Sequence, residues 1–216
     1  MEYELVRSRR KTICLQVKSG QLVVRAPYLV PRFLVDRFIH EKGEWIEKTL
    51  EKSNIPQRKE KLFEDGEKLL YLGEEKTLKL NGGVRTLIDG EVLIVNAENK
   101  VEAKTRLRKF YKLETVRTVK GYILKYQDIF KVISPKITFK FYKSKWGSCS
   151  AKNDFSFNAL LSMAPEKVIE YVVIHELSHI KIKNHSRIFW NKVEAYDPSY
   201  KKHRRWLKEN HYRINI

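Results

Sequence analysis

Tyr171-Val172-Val173-Ile174-His175-Glu176-Leu177-Ser178-His179-Ile180-Lys181-Ile182-Lys183-Asn184-His185 decides how this chain is read. It holds His-Glu-x-x-His, with a third histidine six residues further on. An α-helix turns once in about 3.6 residues, so His175 and His179 stack on one face and can bind one divalent metal from the same side. Glu176 sits about 100° round from His175, within reach of a metal-bound water. Zinc takes about four tetrahedral ligands, and a catalytic site uses about three protein groups plus water. His185 completes the set if the helix stops and the chain turns back. Asn184 is the expected stop, because Asn tolerates left-handed backbone at helix ends. Structural zinc sites close with a fourth protein ligand, often Cys, and the nearest candidate, Cys149, is remote in sequence.

The rest of the composition bounds the answer. A chain of 216 residues, 42% of them hydrophobic, can bury a core. Two cysteines, Cys14 and Cys149, are too few for a disulfide framework. Met1-Glu2-Tyr3 leads straight into a charged segment, so no secretory signal is expected, and no apolar run is long enough to span a membrane. The expected location is cytoplasmic. The net charge is +18, and it is uneven: from Lys104 to Lys145, thirteen Lys and Arg stand against Glu114 and Asp128. Such a field attracts polyanions, nucleic acid among them, or is simply a solvated Lys-rich surface.

Along the first 95 residues, alternation predicts strands. Ile13, Leu15 and Val17 share a face, Lys18-Ser19-Gly20-Gln21 is a turn, and Leu22 and Val24 resume the pattern. From Pro31 to about Ser53 the period becomes helical, with Gly43 a weak spot. A polar linker covers 54–62. Short strands follow at Lys68–Leu72, Lys76–Leu80, Val84–Ile88 and Val92–Val95, with hairpin turns at Asn81-Gly82-Gly83 and Asp89-Gly90. The reading is therefore α+β, with residues 1–95 an antiparallel β-rich unit carrying one helix.

Residues 96–216 form the second expected domain. Asn96 or Asn99 caps a helix of about seven turns, with Leu107, Phe110, Leu113, Val116, Val119, Ile123, Tyr126 and Phe130 at helical spacing. Ser134-Pro135 stops it. Ile137, Phe139 and Phe141 alternate as a strand, and Phe155, Phe157 and Ala159 suggest its return. Pro165 sits in the first turn of the helix that carries the motif, where Ile169, Val173, Leu177 and Ile180 make the buried stripe. Two more helical stretches follow, at 186–195 and after Pro198.

The order Lys145-Trp146-Gly147-Ser148-Cys149-Ser150, Phe155-Ser156-Phe157-Asn158, Ala164-Pro165, His175-Glu176-Leu177-Ser178-His179, Asn184-His185-Ser186 and Phe189-Trp190 resembles the YgjP-like metallopeptidases, which are related to the WLM and SprT-like groups within the zincins. The resemblance implies a small zincin-like catalytic domain, a sheet packed against an active-site helix and a backing helix. It implies Zn2+ at His175, His179 and His185, with Glu176 catalytic. Metzincins have Gly where this chain has Ile182 and a Met turn after the motif; here Met163 precedes it. In gluzincins a downstream Glu is the third ligand, which makes Glu194 the rival to His185.

The chemistry this implies is zinc-dependent peptide hydrolysis with Glu176 as general base, acting on a protein or peptide substrate. Tyr196, Tyr200 and His203 are open candidates for meeting oxyanion charge. The strand running into Trp146 and Gly147 is a candidate for pairing with an extended substrate. A nucleic-acid-associated protein, with or without proteolysis, is the alternative that the basic stretch supports; groups the family resembles are linked with DNA–protein crosslink repair. The oligomeric state is left open.

Overall fold

A computed structural model describes residues 2–18, 20–53, 60–81, 85–133 and 135–216, in two units, Met1–Gln57 and Arg58–Ile216. In the first unit, β1 (Glu4–Ser8), β2 (Cys14–Lys18) and β3 (Gln21–Pro27) form a sheet in the order β1-β3-β2. Lys18 pairs with Gln21, so the expected hairpin is present, with Gly20 at φ 80; Ser19 lies outside the described residues. Leu22, Val24 and Ala26 on alternate positions meet Val35, Ile39 and Ile46 in a core of their own. Those last residues come from α1 (Arg32–Glu41) and α2 (Gly43–Ser53). The single helix expected here is broken at Lys42 (φ −103, ψ 12), where the following Gly43 makes interruption cheap. Residues 54–59, most of the expected linker, lie outside the described residues.

The second unit begins with β4 (Lys68–Tyr71), β5 (Glu74–Asn81), β6 (Leu87–Asp89) and β7 (Val92–Asn96), ordered β4-β5-β7-β6. The Asp89-Gly90 hairpin forms, with Asp89 opposite Val92 and Gly90 at φ 52. The hairpin expected at Asn81-Gly82-Gly83 is not supported by the pairing: β5 lies beside β7, in parallel, and not beside β6. Gly82, Gly83 and Val84 lie outside the described residues. The α+β class stands, but the sheets are mixed rather than antiparallel. β1 runs parallel to β3, and β5 to β7, because each hairpin occupies one edge of its neighbour and leaves the other to a crossover. The division also falls after Gln57 rather than at residue 95. Leu69, Leu70, Leu78, Leu93 and Val95 of this sheet share one core with the helices that follow.

Helix α3 (Lys100–Phe130) is capped by the Asn99 side chain, which accepts from Glu102 N at 3.0 Å. It ends at Lys131 in the left-handed region (φ 55); Ser134 lies outside the described residues. Its buried face is Ala103, Leu107, Tyr111, Thr115, Val119, Ile123, Tyr126 and Phe130. The expected stripe placed Leu113 inside, yet Leu113 is exposed. The polar Thr115 belongs to the buried row because its hydroxyl donates to Ala159 O and accepts from Ser162 N, both at 3.0 Å.

A small sheet, β8-β10-β9, follows: β8 (Ile137–Lys140), β9 (Gly147–Cys149) and β10 (Phe155–Asn158), with β10 between the other two. A 3-10 turn at Leu161–Met163 leads into α4 (Glu166–Ser178), then α5 (Arg187–Tyr196) and α6 (Tyr200–Asn210). Helix α4 is the centre of the unit. From Val168 to Ser178 every residue but His175 is buried. Glu170 ties α4 to α3: burial would raise its pKa, but Lys125, Lys167 and Tyr126 bond its carboxylate and hold it down to about 2. The helix stops at His179 rather than at the expected Asn184. His179 N bonds back to Glu176 O and Ile180 N to Leu177 O, three residues each, which tightens the last turn.

The β4–β5 hairpin locks the entry to α4. Its turn is Leu72-Gly73, both with positive φ (49 and 88), and Leu72 N and Gly73 N donate to Ser162 O and Met163 O at 2.8 and 3.1 Å. A Cβ on Gly73 would lie 2.5 Å from Pro165 Cγ. Gly73→Ala is expected to lower stability by roughly 1–3 kcal/mol more than Gly66→Ala, whose backbone is also left-handed (φ 86) but faces open space. Urea midpoints of the two variants check this, and equal losses would show that Pro165 moves aside freely.

Candidate metal centre

The last turn of α4 and the chain just after it bring His175, His179 and His185 together, with one ring nitrogen from each within 4.8 Å of the others. His175 Nε2 and His185 Nε2 are 3.1 Å apart. A tetrahedral ion with Zn–N of about 2.0–2.1 Å separates its ligands by about 3.4 Å, so this spacing needs only a small adjustment. His179 Nδ1 lies 2.9 Å from Ile182 O. A carbonyl can only accept, so Nδ1 carries the proton and Nε2 is left with its lone pair. The early stop of α4 makes this bond, because it lets Ile182 fold back under His179. The residues therefore fit a metal. Glu194, the rival third ligand, is exposed on α5 and is not in the cluster.

Aromatic packing sets the ring planes. Phe189, fully buried, stacks on His179 (centroids 4.4 Å, 26°) and meets His175 and His185 edge-on. Trp190 stacks on His185 at 5.7 Å and 25°. Burial, then the neighbouring His179 and His185, pushes His175 down to about 3; burial also lowers His179. Both are neutral imidazoles with lone pairs to donate. His175 Nδ1 is buried with no hydrogen-bond partner among the described residues.

Glu176 is 5% exposed, and burial pushes its carboxyl up to about 8, against the pull of Lys145. Gly147 lies directly on it: a Cβ there would sit 2.5 Å from Glu176 Oε1. Glycine is needed for this close approach. Asn158 holds the loop that delivers Gly147. Its side-chain amide donates to Tyr142 O and Lys145 O, both at 3.0 Å, and its backbone N–H donates to Trp146 O at 2.8 Å. Trp146 is partly buried against the core. Cys149 is partly buried, and burial raises its thiol pKa, which suits an inert thiol better than a nucleophile.

Three further residues were not singled out by the sequence. Lys183 Nζ donates to Asn153 Oδ1 at 2.6 Å and Ser150 O at 3.0 Å, joining the turn after α4 to the β9–β10 turn. Asp197 accepts from His203 Nδ1 at 2.8 Å and from Ser199 N at 3.1 Å. Asp197-Pro198-Ser199 reads in sequence as a helix start, which conceals its second partner. Arg204 lies over the Trp190 ring at 4.9 Å, and its charge is felt at His175. Of the oxyanion candidates, His203 lies 6.3 Å from the Tyr171 ring, which in turn lies 5.9 Å from His175. Tyr200 is buried against Trp190, and Tyr196 packs on Phe130.

A family model described as YgjP-like, metallopeptidase domain, matches residues 11–210. Comparison with curated proteins gives no match. No helix among the described residues is long and apolar enough to cross a membrane.

Glu176 and His175 give the metal-free protein opposed pH limbs. Glu176 keeps its proton in the folded state up to about 8, against 4.5 ordinarily, so its contribution is lost as pH rises through that window. His175 refuses a proton down to about 3, against 6.5, so its contribution is lost as pH falls. Between pH 6.5 and 8 only the Glu176 limb operates. Chelator-treated wild type is expected to lose melting temperature across that interval, and Glu176→Gln to stay flat. An equal decline in both would place the titrating group elsewhere.

Proposed function

Since this chain belongs to the YgjP-like metallopeptidase domain family, we propose that it hydrolyses peptide bonds with zinc held by His175, His179 and His185 and with Glu176 as general base. The observation that carries this is the convergence of three imidazoles, one with its tautomer held by Ile182 O, beside a buried carboxyl. An all-imidazole set favours zinc over magnesium or calcium. When bound, zinc supplies Lewis acidity, lowering the pKa of water and polarising the scissile carbonyl.

Glu176 takes the proton of the attacking water and returns it to the leaving nitrogen. Its raised proton affinity when metal-free suits both halves of that shuttle, although a nearby cation shifts it down. Gly147 keeps the backbone tight against the carboxyl and so limits where Glu176 can swing. Strand β9 is an edge of its sheet, and an extended substrate adds there, with Trp146 and Gly147 at the contact. His203 is the best supported oxyanion donor of the three candidates. Asp197 accepts from its Nδ1–H and holds the ring, so Nε2 donates to an oxyanion only when the ring carries both protons; the two tyrosines are engaged in ring packing.

Glu176→Gln is expected to retain zinc and lose cleavage of a casein-type substrate by about 10²-fold or more. His185→Ala is expected to lose the metal itself, measured by elemental analysis after dialysis. Cleavage unchanged in Glu176→Gln would eliminate the general base.

A further inference from the structure

Two cations that rest on aromatic rings are felt at the site, Arg204 at His175 and Lys145 at Glu176. The Arg204 guanidinium lies 4.9 Å from the centre of Trp190, whose ring is 5.7 Å from both His175 and His185. Lys145 Nζ lies 4.3 Å from the centre of Tyr142 and donates to Ser148 Oγ at 3.1 Å. Ser148 directly follows Gly147, the residue against Glu176. Both cations are exposed, and neither is paired with a carboxylate among the described residues. The acids close by are committed: Asp197 to His203 and Ser199, and Glu176 to the chemistry.

We propose that the cleft selects acidic substrate segments, with Lys145 on the β9 side and Arg204 on the α6 side each pairing with an Asp or Glu of a peptide laid across the site. This rests on the peptidase reading above. Three features favour it over a merely solvated basic surface. Resting against Trp190 and without a carboxylate partner among the described residues, Arg204 keeps its N–H groups for a bidentate carboxylate. A cation held on a ring has already lost part of the freedom that binding would otherwise cost. And the two come from distant stretches, the loop before β9 and helix α6, yet both are felt at one site.

The same charges would attract nucleic acid, but the geometry favours the peptide. Single-stranded binding needs open aromatic faces for bases. Here Arg204 covers Trp190 on one contact and Tyr200 stacks on it at 5.3 Å, while Lys145 covers Tyr142. On the basic helix α3, Arg106, Arg117 and Lys125 are already paired with Glu102, Glu114 and Glu170.

The test measures binding separately from cleavage. Zinc-loaded Glu176→Gln protein is titrated, by fluorescence anisotropy, with a labelled ten-residue peptide carrying Glu on both sides of its centre and with the matching Gln peptide. The Glu peptide is expected to bind about tenfold more tightly, with a gap that narrows in added salt. Adding Lys145→Gln or Arg204→Gln is expected to remove about threefold each from the Glu peptide and nothing from the Gln peptide, with zinc content and melting unchanged. Equal affinity for the two peptides would overturn the proposal, as would discrimination that survives both substitutions together. Tighter binding of a single-stranded oligonucleotide, sensitive to the same substitutions, would also overturn it and assign the cations to nucleic acid. A wild type that binds the Glu peptide selectively but cleaves nothing would count against the peptidase reading while leaving this one standing.

Discussion

Burial of α4 on almost every side is the constraint on which the site depends. A helix with no solvent face cannot rotate or slide without exposing apolar surface, at roughly 25 cal/mol per Å². His175, Glu176 and His179 inherit that rigidity. The surroundings hold it from several directions: the ion-paired Glu170 ties α4 to α3, the Leu72-Gly73 turn fixes the entry at Pro165, and Gly147 closes over Glu176. The candidate site residues need no long side-chain network because the backbone beneath them is held.

The same burial sets the chemistry. Imidazoles in an apolar setting stay neutral, and a carboxyl there keeps its proton until something positive arrives. In the metal-free protein His175, His179 and Glu176 are thus uncharged near neutral pH in an otherwise strongly basic chain. The aromatic pair Phe189-Trp190 adds orientation: one ring stacks on His179 and meets His175 and His185 edge-on, and the other supports His185 and Arg204 together. Part of the specificity surface and part of the proposed ligand shell therefore stand on one side chain of α5.

Much of this was legible in sequence because it is local. Residues four apart on a helix share a face whatever surrounds them, so His175 and His179 could be placed at once. The Lys18–Gln21 and Asp89-Gly90 turns likewise follow from the residues alone. What was not legible depends on partners distant in the chain. The parallel β5–β7 pair and the shared core that moves the division to Gln57 are set by long-range packing. The α3 stripe was right at Leu107 and from Val119 to Phe130 but misplaced between them, because Thr115 is polar by type and buried through bonds to Ala159 and Ser162. Asn184 looked like a helix stop, but α4 ends at His179, where the chain must turn at once for His185 to reach His175. No propensity marks Leu72 as left-handed; its turn is held by carbonyls far downstream.

X-ray absorption at the zinc K edge of the metal-loaded protein bears most directly on the claim that three histidines hold the ion. The expected spectrum has three imidazole nitrogens and one further light atom at about 2.0 Å, with no sulfur shell. A scatterer at about 2.3 Å, which would bring Cys149 into the shell, or an all-oxygen environment without imidazole signals, would contradict it.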